Sequence, residues 1–257
     1  MSNEWMIYGS GRFDRDGNLL KRAWHRLRLA NPRVSLTAGS EASHRNNQWL
    51  DAKGWTLVHG RKNSETMVSV LNKECWLAFR NSVWEQVGKV RFPTVSHKTY
   101  YSSFGNLRRS HRVLRVKLKH KATGQTFIFY VVHMSLDNTL TRSLVWKDEA
   151  KGLANLIRRD KRVYPHAKQV LLGDINKNAR ESKDRAKCIT RLAIPANLRP
   201  AWNANTIPAT GGTHGPRGII DHAYATKGLI TACSLIKPTP LLRKASDHTP
   251  FKFKMTF

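Results

Sequence analysis

Apolar residues recur along the chain with two spacings, one typical of amphipathic helices and one typical of strands. The helical spacing is shared by two groups of residues, Leu19, Leu20, Ala23, Trp24 and Leu27, and Trp146, Ala150, Leu153 and Ile157. The first group is followed by Asn31-Pro32, and a proline cannot continue a helix. We therefore predict two helices, one near the N-terminus and one in the middle of the chain.

Short apolar segments bounded by turn residues predict strands. They cover residues 34–38, 74–80, 113–118, 127–133, 169–174, 219–224 and 251–255. A Lys-Ala-Thr-Gly segment, residues 121–124, separates the third and fourth strands and predicts a hairpin. Strands interleaved with long helices favour layers, with helices packed outside sheets. At 257 residues, without a linker or an internal repeat, the chain is expected to form a single domain over 1–257.

Basic residues dominate the charge of the chain. There are 45 Lys and Arg against 17 Asp and Glu, which gives a formal net charge of +28 and an isoelectric point near 10.7. Such a surface attracts polyanions, so nucleic acid is the first candidate partner and an anionic membrane surface is the second. We expect nucleic acid, most simply DNA, as the partner of a monomer that forms no stable association with a membrane.

The cysteines and the N-terminus bear on the compartment. Cys75, Cys188 and Cys233 are scattered and lack zinc-type spacing, which favours a reducing environment over a disulfide scaffold. Residues 1–13 contain no basic region followed by an apolar stretch, and no run approaches the roughly 18 apolar residues of a membrane span. We therefore expect a cytoplasmic protein.

The acidic residues are few and are placed beside histidine and asparagine. Residues 185–257 contain two carboxylates, Asp221 and Asp247, and each is followed directly by a histidine. Asp174 ends an apolar segment and begins Asp-Ile-Asn. Carboxylates can hold a hard cation, and a carboxylate next to an imidazole can orient it as a base. This pattern predicts a metal-dependent site that cleaves phosphodiesters.

The acids and histidines also come in a recognisable order. The order is Glu41, Glu74, His133, residues 173–176 (Gly-Asp-Ile-Asn), Asp221 and residues 246–248 (Ser-Asp-His). It resembles the endonuclease/exonuclease/phosphatase superfamily, which includes deoxyribonuclease I, abasic-site endonucleases and sphingomyelinases. The resemblance covers almost the whole chain. Its most specific parts are residues 170–176 and residues 245–250.

This resemblance implies a fold and an activity. The fold would be α+β, a four-layer α/β/β/α sandwich of two mixed β-sheets flanked by helices, with the site at one end. The cofactor would be Mg²⁺ or Mn²⁺. The activity would be that of a divalent-metal-dependent phosphodiesterase. The net charge of +28, and that alone, indicates nucleic acid as its substrate, cleaved as an endonuclease or an exonuclease.

The resemblance also implies the metal and water sites. Glu41 would be the principal metal-ligating glutamate, and Asp247 would be a second metal-site carboxylate. Asp174 and Asn176 would align the attacking water and the phosphate. The superfamily usually has an asparagine at the end of its first strand, and residues 5–10 contain none. Ser10 acting through water and a greater reliance on Glu41 are the two alternatives.

Two histidines receive roles in the same way. His248 would be the base or the phosphate-binding histidine, oriented by Asp221. His133 would be the second histidine found in the deoxyribonuclease I and sphingomyelinase branches, with Glu74 as its carboxylate partner. Among the other histidines, His222 is expected to turn away from the site by strand alternation. The remaining histidines considered lie in no comparable setting; they are His44, His97, His111, His120 and His214.

Substrate contacts are predicted in one basic loop. Arg108, Arg109 and Arg112 are the best local candidates for phosphate contacts, and Tyr101 is a further candidate; the alternative is a solvated basic loop. Two other functions stay open. One is a phosphatase or phosphodiesterase of inositol or sphingolipid headgroups, because the fold alone does not choose the substrate. The other is a non-catalytic basic nucleic-acid-binding protein on the same fold.

Overall fold

The computed structural model describes residues 2–9, 17–40, 53–59, 75–98, 100, 101, 107, 108, 111–136, 139–202, 207–215, 218–237 and 239–257. For residues 17–22, 100, 101, 107, 108, 111, 112, 242 and 245 it describes the backbone alone. Five residues named in the sequence analysis lie outside the described residues: Ser10, Glu41, His44, Glu74 and Arg109.

The first sheet contains the strands from both ends of the chain. Its six strands are β1 (Asn3–Tyr8), β2 (Val34–Gly39), β3 (Trp55–His59), β4 (Trp76–Arg80), β15 (Ile230–Leu235) and β16 (Phe251–Thr256). Their spatial order is β15-β16-β1-β2-β4-β3. β1 lies at the centre, parallel to β2 and antiparallel to β16, so the sheet is mixed.

The second sheet carries the middle of the chain. Its six strands are β5 (Trp84–Gln86), β10 (Leu114–His120), β11 (Thr126–His133), β12 (Lys168–Asp174), β13 (Arg199–Pro200) and β14 (Asp221–Ala225). Their spatial order is β13-β14-β12-β11-β10-β5. β10 and β11 form the predicted hairpin, β12 is parallel to β11, and β14 is antiparallel to β12.

Two short ribbons lie between β5 and β10 in the chain. One pairs β6 (Thr94–Ser96) with β9 (His111–Arg112), and the other pairs β7 (Tyr100–Tyr101) with β8 (Leu107–Arg108). Three predicted substrate contacts, Tyr101, Arg108 and Arg112, fall in these ribbons. Their side chains are not among those described, so their role stays a prediction.

The helices cover the outer faces of the sheets. They are α1 (Gly17–Leu29), α2 (Leu140–Val163), α3 (Ser182–Cys188), a π-helical turn (Ile189–Ala193), α4 (Ile194–Ala196) and α5 (Pro240–Ala245). The Thr139 side chain caps α2 by accepting a hydrogen bond from the Arg142 backbone nitrogen. Within the described ranges, we find no helix that combines the length and the apolar character needed to span a bilayer.

Strand alternation sorts the core into layers. On β11, Phe127 and Phe129 face the first sheet, whereas Ile128 and Tyr130 face α2. A third cluster packs Trp24 of α1 against the outer face of the first sheet. The result is the expected α/β/β/α sandwich, and the predicted fold class is confirmed. The strand predicted over 219–224 begins at Asp221 instead, which leaves the two preceding residues in the loop.

Candidate active site

Three neighbouring strands of the second sheet bring polar side chains to one edge. His133 is the last residue of β11, Asp174 is the last of β12, and Asp221 is the first of β14. The register sets His133 opposite Asp174 and Asp174 opposite Asp221. Because β14 runs antiparallel to β12, its first residue meets the last residue of β12. The three side chains therefore form a row at one end of the sandwich.

His248 completes this row from the other side. Its Nδ1 lies 2.8 Å from Oδ2 of Asp221, and the two residues are 6% and 1% exposed. Burial disfavours the charged imidazole, but the charge of Asp221 and the hydrogen bond to it outweigh burial and raise the pKa of His248 to about 9. The bond places a proton on Nδ1, so Nε2 is the ring atom directed away from Asp221.

Asp174 lies between charged groups in a buried position. Burial and then the negative charge of Asp221 raise the pKa of Asp174 to about 7, while His133 and His248 oppose the shift. Nε2 of His133 is 3.7 Å from Oδ2 of Asp174. A carboxyl group that titrates near neutrality and faces two histidines is typical of functional sites.

The Gly-Asp-Ile-Asn segment folds as a turn that holds the Asp174 carboxylate. A Cβ atom on Gly173 would lie 2.1 Å from the carbonyl oxygen of Val132 on β11, so only glycine fits there. Asn176 has a φ of 54°, in the left-handed region that asparagine tolerates. Its backbone nitrogen donates to Oδ1 of Asp174 at 2.9 Å, and its Nδ2 donates to the Met134 carbonyl oxygen at 2.6 Å.

Two buried tryptophans fix the backbone beside these residues. Nε1 of Trp146 on α2 donates to the Ile175 carbonyl oxygen at 2.8 Å. Nε1 of Trp202 donates to the Asp221 carbonyl oxygen at 3.0 Å. Both rings belong to the buried core. Each ring therefore serves packing and also orients a strand end at the site.

Tyr8 reaches the same site from the first sheet. It is the last residue of β1, and its buried hydroxyl accepts a hydrogen bond from the Asp174 backbone nitrogen at 3.0 Å. The hydroxyl also donates to Oγ of Ser40 at 3.0 Å. Burial and the charges of Asp221 and Asp174 raise the pKa of Tyr8 well above its usual value, so the hydroxyl stays neutral. A tyrosine thus ends the first strand, where the resemblance predicts an asparagine.

Thr213 joins the loop before β14 to the chain that precedes β16. Its fully buried Oγ1 accepts hydrogen bonds from the backbone nitrogens of Ile220 and Asp221, both at 3.0 Å. Its carbonyl oxygen accepts a bond from the Thr249 backbone nitrogen at 2.7 Å. These bonds hold Asp221 and the segment containing His248 in one arrangement.

His214 and Asp247 lie at the rim of the site. Nε2 of His214 is 3.7 Å from Oδ2 of Asp247, and the two side chains are 49% and 41% exposed. The His214 ring is 4.9 Å from the His248 ring, measured between centroids. His214 was not predicted as a site residue, because nothing in its Gly- and Thr-rich loop indicates that it pairs with a segment more than thirty residues away.

The buried residues fit a divalent cation. Ligand atoms of Asp174, Asp221 and His248 all lie within 4.8 Å of one another. Oδ1 of Asp221 is buried and has no hydrogen-bond partner among the described residues. Two adjacent buried carboxylates and an unsatisfied carboxylate oxygen are costly without a compensating positive charge. A hard cation with oxygen ligands would supply that charge.

Six predicted site residues meet at this end of the sandwich. They are His133, Asp174, Asn176, Asp221, Asp247 and His248. His222, expected to turn away, is bonded through Nε2 to the Lys177 carbonyl oxygen. Tyr8, Thr213 and His214 are additions from the structure. The missing asparagine in residues 5–10 is the sequence signal that points to Tyr8, at the end of β1.

Comparison with known proteins places the chain in a family. The model of the Endonuclease/Exonuclease/phosphatase family matches residues 90–248. No curated protein matches the chain in sequence.

Solved structures share the fold over essentially the whole chain. An endonuclease/exonuclease/phosphatase from Bacteroides vulgatus is 17% identical, with full coverage of both chains and a TM-score of 0.70. D. rerio TDP2 complexed with a single-strand DNA product is 15% identical, with full coverage of both chains and a TM-score of 0.69. A mannosyl-6-phosphatase from Bacteroides thetaiotaomicron is 12% identical, covers 99% of this chain and 100% of its own, and has a TM-score of 0.66. The chain belongs to the Endonuclease/Exonuclease/phosphatase family, a family of hydrolytic phosphoesterases that generally depend on a divalent metal.

Proposed function

We propose that this protein is a divalent-metal-dependent phosphodiesterase that hydrolyses nucleic acid, and that its substrate is DNA. The observation that carries the proposal is the buried His248–Asp221 pair beside Asp174. A phosphodiester is protected by its negative charge, so a hydrolase must neutralise developing charge, align a water molecule and protonate the leaving oxygen. The proposed site contains groups suited to each of these tasks.

His248 is the proposed base. Asp221 holds the proton on Nδ1, so Nε2 can accept the proton of the attacking water once His248 is neutral, by the logic through which a carboxylate fixes an imidazole tautomer. The raised His248 pKa of about 9 means that this neutral form is favoured at alkaline pH. Asp174 and Asn176 orient that water and the phosphate. The Asn176 side chain is anchored by its bond to Met134, which reduces the freedom that it would otherwise lose on binding substrate.

His133 is the proposed acid that protonates the leaving oxygen. It lies at the opposite end of the strand row from Asp221, with Asp174 between them. Its side chain is 18% exposed, which leaves it accessible to a substrate at the sandwich edge. Glu74 is its proposed carboxylate partner, in addition to the contact with Asp174 at 3.7 Å.

Glu41 and Asp247 are the proposed ligands of the cation, Mg²⁺ or Mn²⁺, next to Asp174. When bound, a hard divalent cation neutralises charge on the phosphate oxygens. The Asp247 side chain is 41% exposed, so a cation and a phosphate can approach it from solvent. The Tyr8 hydroxyl stays neutral and adds no negative charge where the usual first-strand asparagine would be.

The distribution of positive charge supports a nucleic-acid substrate. A groove of about 450 Å³ runs beside α2. Five cationic residues line it, Lys98, Lys147, Lys151, Arg158 and Arg191. Asp148 is the one acid among the described lining residues, and its Oδ2 already accepts a hydrogen bond from Ser96 at 2.7 Å. α2 begins after the site end of β11, and the groove lies along residues 144–158 of this helix.

A second groove shows that the charge is not spread evenly. It has a volume of about 540 Å³ and is lined by residues 163–167 and by the end of the β10–β11 hairpin. Its one lysine, Lys117, lies over the Tyr164 ring at 4.3 Å from the ring centroid. Phosphate contacts should therefore concentrate on the α2 groove, together with the predicted contacts Arg108, Arg109, Arg112 and Tyr101.

The similar solved structures do not by themselves identify the substrate of this protein. One similar structure holds a DNA product, whereas another is a sugar phosphatase, and identities of 15% and 12% do not choose between them. The +28 charge favours a polymer of phosphates over a single phosphate group. Inositol or sphingolipid headgroups and a purely binding role remain outcomes of the test.

The test is hydrolysis by the full chain. Plasmid DNA, linear DNA, RNA, mannose 6-phosphate and sphingomyelin vesicles should each be incubated with Mg²⁺ or with a chelator. We expect cleavage of nucleic acid that needs the metal and falls by about 10²-fold or more in Asp174→Asn. Cleavage of the sugar phosphate or the lipid alone would replace the nuclease proposal. Undiminished cleavage in chelator would refute metal dependence.

The substrate groove has its own test, made in the Asp174→Asn background so that DNA is not cut. The variant Lys147→Ala/Lys151→Ala/Arg158→Ala should reduce the log–log salt slope of duplex binding by up to about three, at roughly 0.9 for each phosphate that the variant no longer binds. The control Lys119→Ala/Lys121→Ala/Lys227→Ala removes equal charge at the opposite end of the second sheet. Equal slopes for the two variants would contradict the groove assignment.

A further inference from the structure

We propose that His214, Asp247 and His248 form a binding site for a transition-metal ion of the zinc class, beside the oxygen-rich cluster around Asp174. Ligand atoms of these three residues lie within 4.8 Å of one another. They offer two imidazoles and one carboxylate, a donor set that suits Zn²⁺, Co²⁺ or Ni²⁺ better than Mg²⁺. Mg²⁺ prefers oxygen ligands in an octahedral arrangement.

The backbone already holds the two histidines side by side. His214 and His248 form an antiparallel bridge, and the Thr249 backbone nitrogen donates to the Thr213 carbonyl oxygen at 2.7 Å. The His214 backbone nitrogen donates to the Gly218 carbonyl oxygen at 2.9 Å. Little order therefore has to be created when an ion binds, and a preorganised site binds more tightly than one that must be assembled.

Asp221 supports His248 as a metal ligand. A histidine that binds a metal usually donates its other ring N–H to a carboxylate, which fixes the tautomer and increases the basicity of the ligating nitrogen. Here the Nδ1–Asp221 bond of 2.8 Å is buried, and it leaves Nε2 for the ion. The same bond thus prepares His248 both for proton transfer and for metal binding.

The distances fit a four-coordinate ion. Ligands at 2.0–2.1 Å from a tetrahedral Zn²⁺ are separated by about 3.4 Å. The His214 Nε2–Asp247 Oδ2 separation is 3.7 Å, and both side chains are close to half exposed, so small rotations can close the remaining difference. Three protein ligands leave a fourth position for water, as in zinc sites that remain open.

Occupation of this site should inhibit the enzyme, a consequence that rests on the proposed function. The ion would take Nε2 of His248, the atom proposed to accept the proton of the attacking water. It would also engage Asp247, one of the proposed ligands of the catalytic cation. Zinc binding and turnover would therefore exclude each other at the same histidine.

Binding is tested first, because it does not depend on activity. Metal-free protein is titrated with Co²⁺, whose visible absorption is intense in four-coordinate sites and weak in water, and with Zn²⁺ in competition with a chromophoric chelator. The variant His214→Ala should lose at least about 10–100-fold in Zn²⁺ affinity, the loss typical of removing even a supporting partner. The control His166→Ala removes another exposed histidine, which lines the second groove together with Tyr164.

Further variants separate this site from the buried cluster. His214→Cys should restore binding, since thiolate is a zinc ligand. Asp174→Asn should bind Zn²⁺ as the parent does. Equal Zn²⁺ affinity of His214→Ala and the parent would overturn the proposal, and so would a loss of binding in Asp174→Asn but not in His214→Ala. Thermal unfolding of each variant checks that the fold is retained.

Inhibition is tested second, against a background of excess Mg²⁺. Zn²⁺ should inhibit the parent and His166→Ala alike, and His214→Ala should need at least about tenfold more Zn²⁺ for the same inhibition. Identical inhibition curves would refute the functional consequence. If no substrate is hydrolysed at all, the proposed function fails, while the Co²⁺ and Zn²⁺ titrations still decide the metal site.

Discussion

Two histidine–carboxylate contacts lie next to each other in this molecule, and they differ in almost every physical respect. His248 and Asp221 meet at 2.8 Å and are nearly fully buried. His214 and Asp247 are 3.7 Å apart, with side chains 49% and 41% exposed. A buried, charge-assisted hydrogen bond is strong and hard to break, whereas an exposed contact of similar chemistry contributes little. The inner pair is suited to proton transfer, and the outer pair is suited to ligand exchange.

The two pairs also depend on different parts of the fold. Asp221 is set by its position in the second sheet, opposite Asp174. His214 is set by a loop that pairs with the segment around His248. Changes to the inner pair should therefore affect turnover and the stability of the sheet edge. Changes to the outer pair should affect ligand binding and leave the fold intact.

The largest effect should come from Asp221→Asn. The asparagine keeps the shape of the side chain but cannot hold the His248 tautomer, and the comparable change in a serine-protease triad costs about 10⁴-fold in turnover. We expect a loss of about 10³-fold or more in kcat, measured on the substrate that the parent cleaves. The matched rim change, His214→Ala, should alter kcat less than about tenfold. Similar losses in both variants would remove the distinction between the pairs.

Asp174→Asn should have opposite effects on activity and stability. The raised pKa of about 7 means that the folded protein keeps the Asp174 proton while the unfolded chain loses it near pH 4. The stability associated with this group is therefore present below pH 4 and is lost as the pH rises towards 7 and above.

The variant Asp174→Asn removes the free-energy cost of burying a charged carboxylate above pH 7. In chelator, Asp174→Asn should be more stable than the parent at pH 8, on the order of 2–4 kcal/mol, and equally stable at pH 4. Added Mg²⁺ should reduce the difference, because a ligand that binds the folded state stabilises the parent. Thermal unfolding at the two pH values, with and without Mg²⁺, measures this. A difference that does not change with pH would contradict the assignment of a buried, charge-strained Asp174.

The sequence predicted the inner pair better than the outer one for a physical reason. Apolar periodicity identifies the segment that Asp174 ends, and it identifies the segment that contains Asp221, although that strand begins two residues later than predicted. Which strands become neighbours is a long-range property, so the row of His133, Asp174 and Asp221 required the sheet order β14-β12-β11. The layered fold was predictable because its strands and helices have distinct periods. The short strands β5 and β13 were not, because three and two residues carry no period.

The sequence did not predict His214, which a loop brings to the site, or Tyr8, whose long side chain extends to the site from the other sheet. His214 has no local signal, because its neighbours in sequence are glycine, threonine and proline. Tyr8 ends an apolar strand, and its periodicity indicates packing alone. That its hydroxyl spans from the first sheet to the Asp174 backbone depends on how the two sheets stack. Long-range stacking is not encoded in any short segment, and this limits what periodicity can predict.

Two glycines allow the comparison to be tested on stability. A Cβ on Gly173 would meet the Val132 carbonyl oxygen at 2.1 Å, whereas a Cβ on Gly215, beside His214, would meet no described atom within 4 Å. Gly173→Ala should cost about 3 kcal/mol or more in unfolding free energy, since backbone would have to move. Gly215→Ala, at a φ of 61°, should cost about 1–2 kcal/mol from its left-handed conformation. Denaturant unfolding measures both free energies. Equal costs would contradict the view that the backbone beside Asp174 is tightly packed and that the loop beside His214 is not.

The last prediction concerns Thr213, which connects the two pairs. Its Oγ1 accepts bonds from the backbone nitrogens of Ile220 and Asp221, and the next residue is His214. Thr213→Val has nearly the same shape but leaves one buried donor, the Asp221 nitrogen, and one part-buried donor, the Ile220 nitrogen, without their acceptor, at a cost of about 1–3 kcal/mol.

Thr213→Ser keeps the hydroxyl and serves as the control. If Thr213 transmits order between the pairs, Thr213→Val should lower both kcat and Zn²⁺ affinity, while Thr213→Ser should lower neither by more than about threefold. Loss of kcat with unchanged Zn²⁺ affinity would show that the rim is positioned by its own pairing with residues 248 and 249. The inner and outer pairs would then be independent, and a bound zinc ion would act on turnover only through His248 and Asp247.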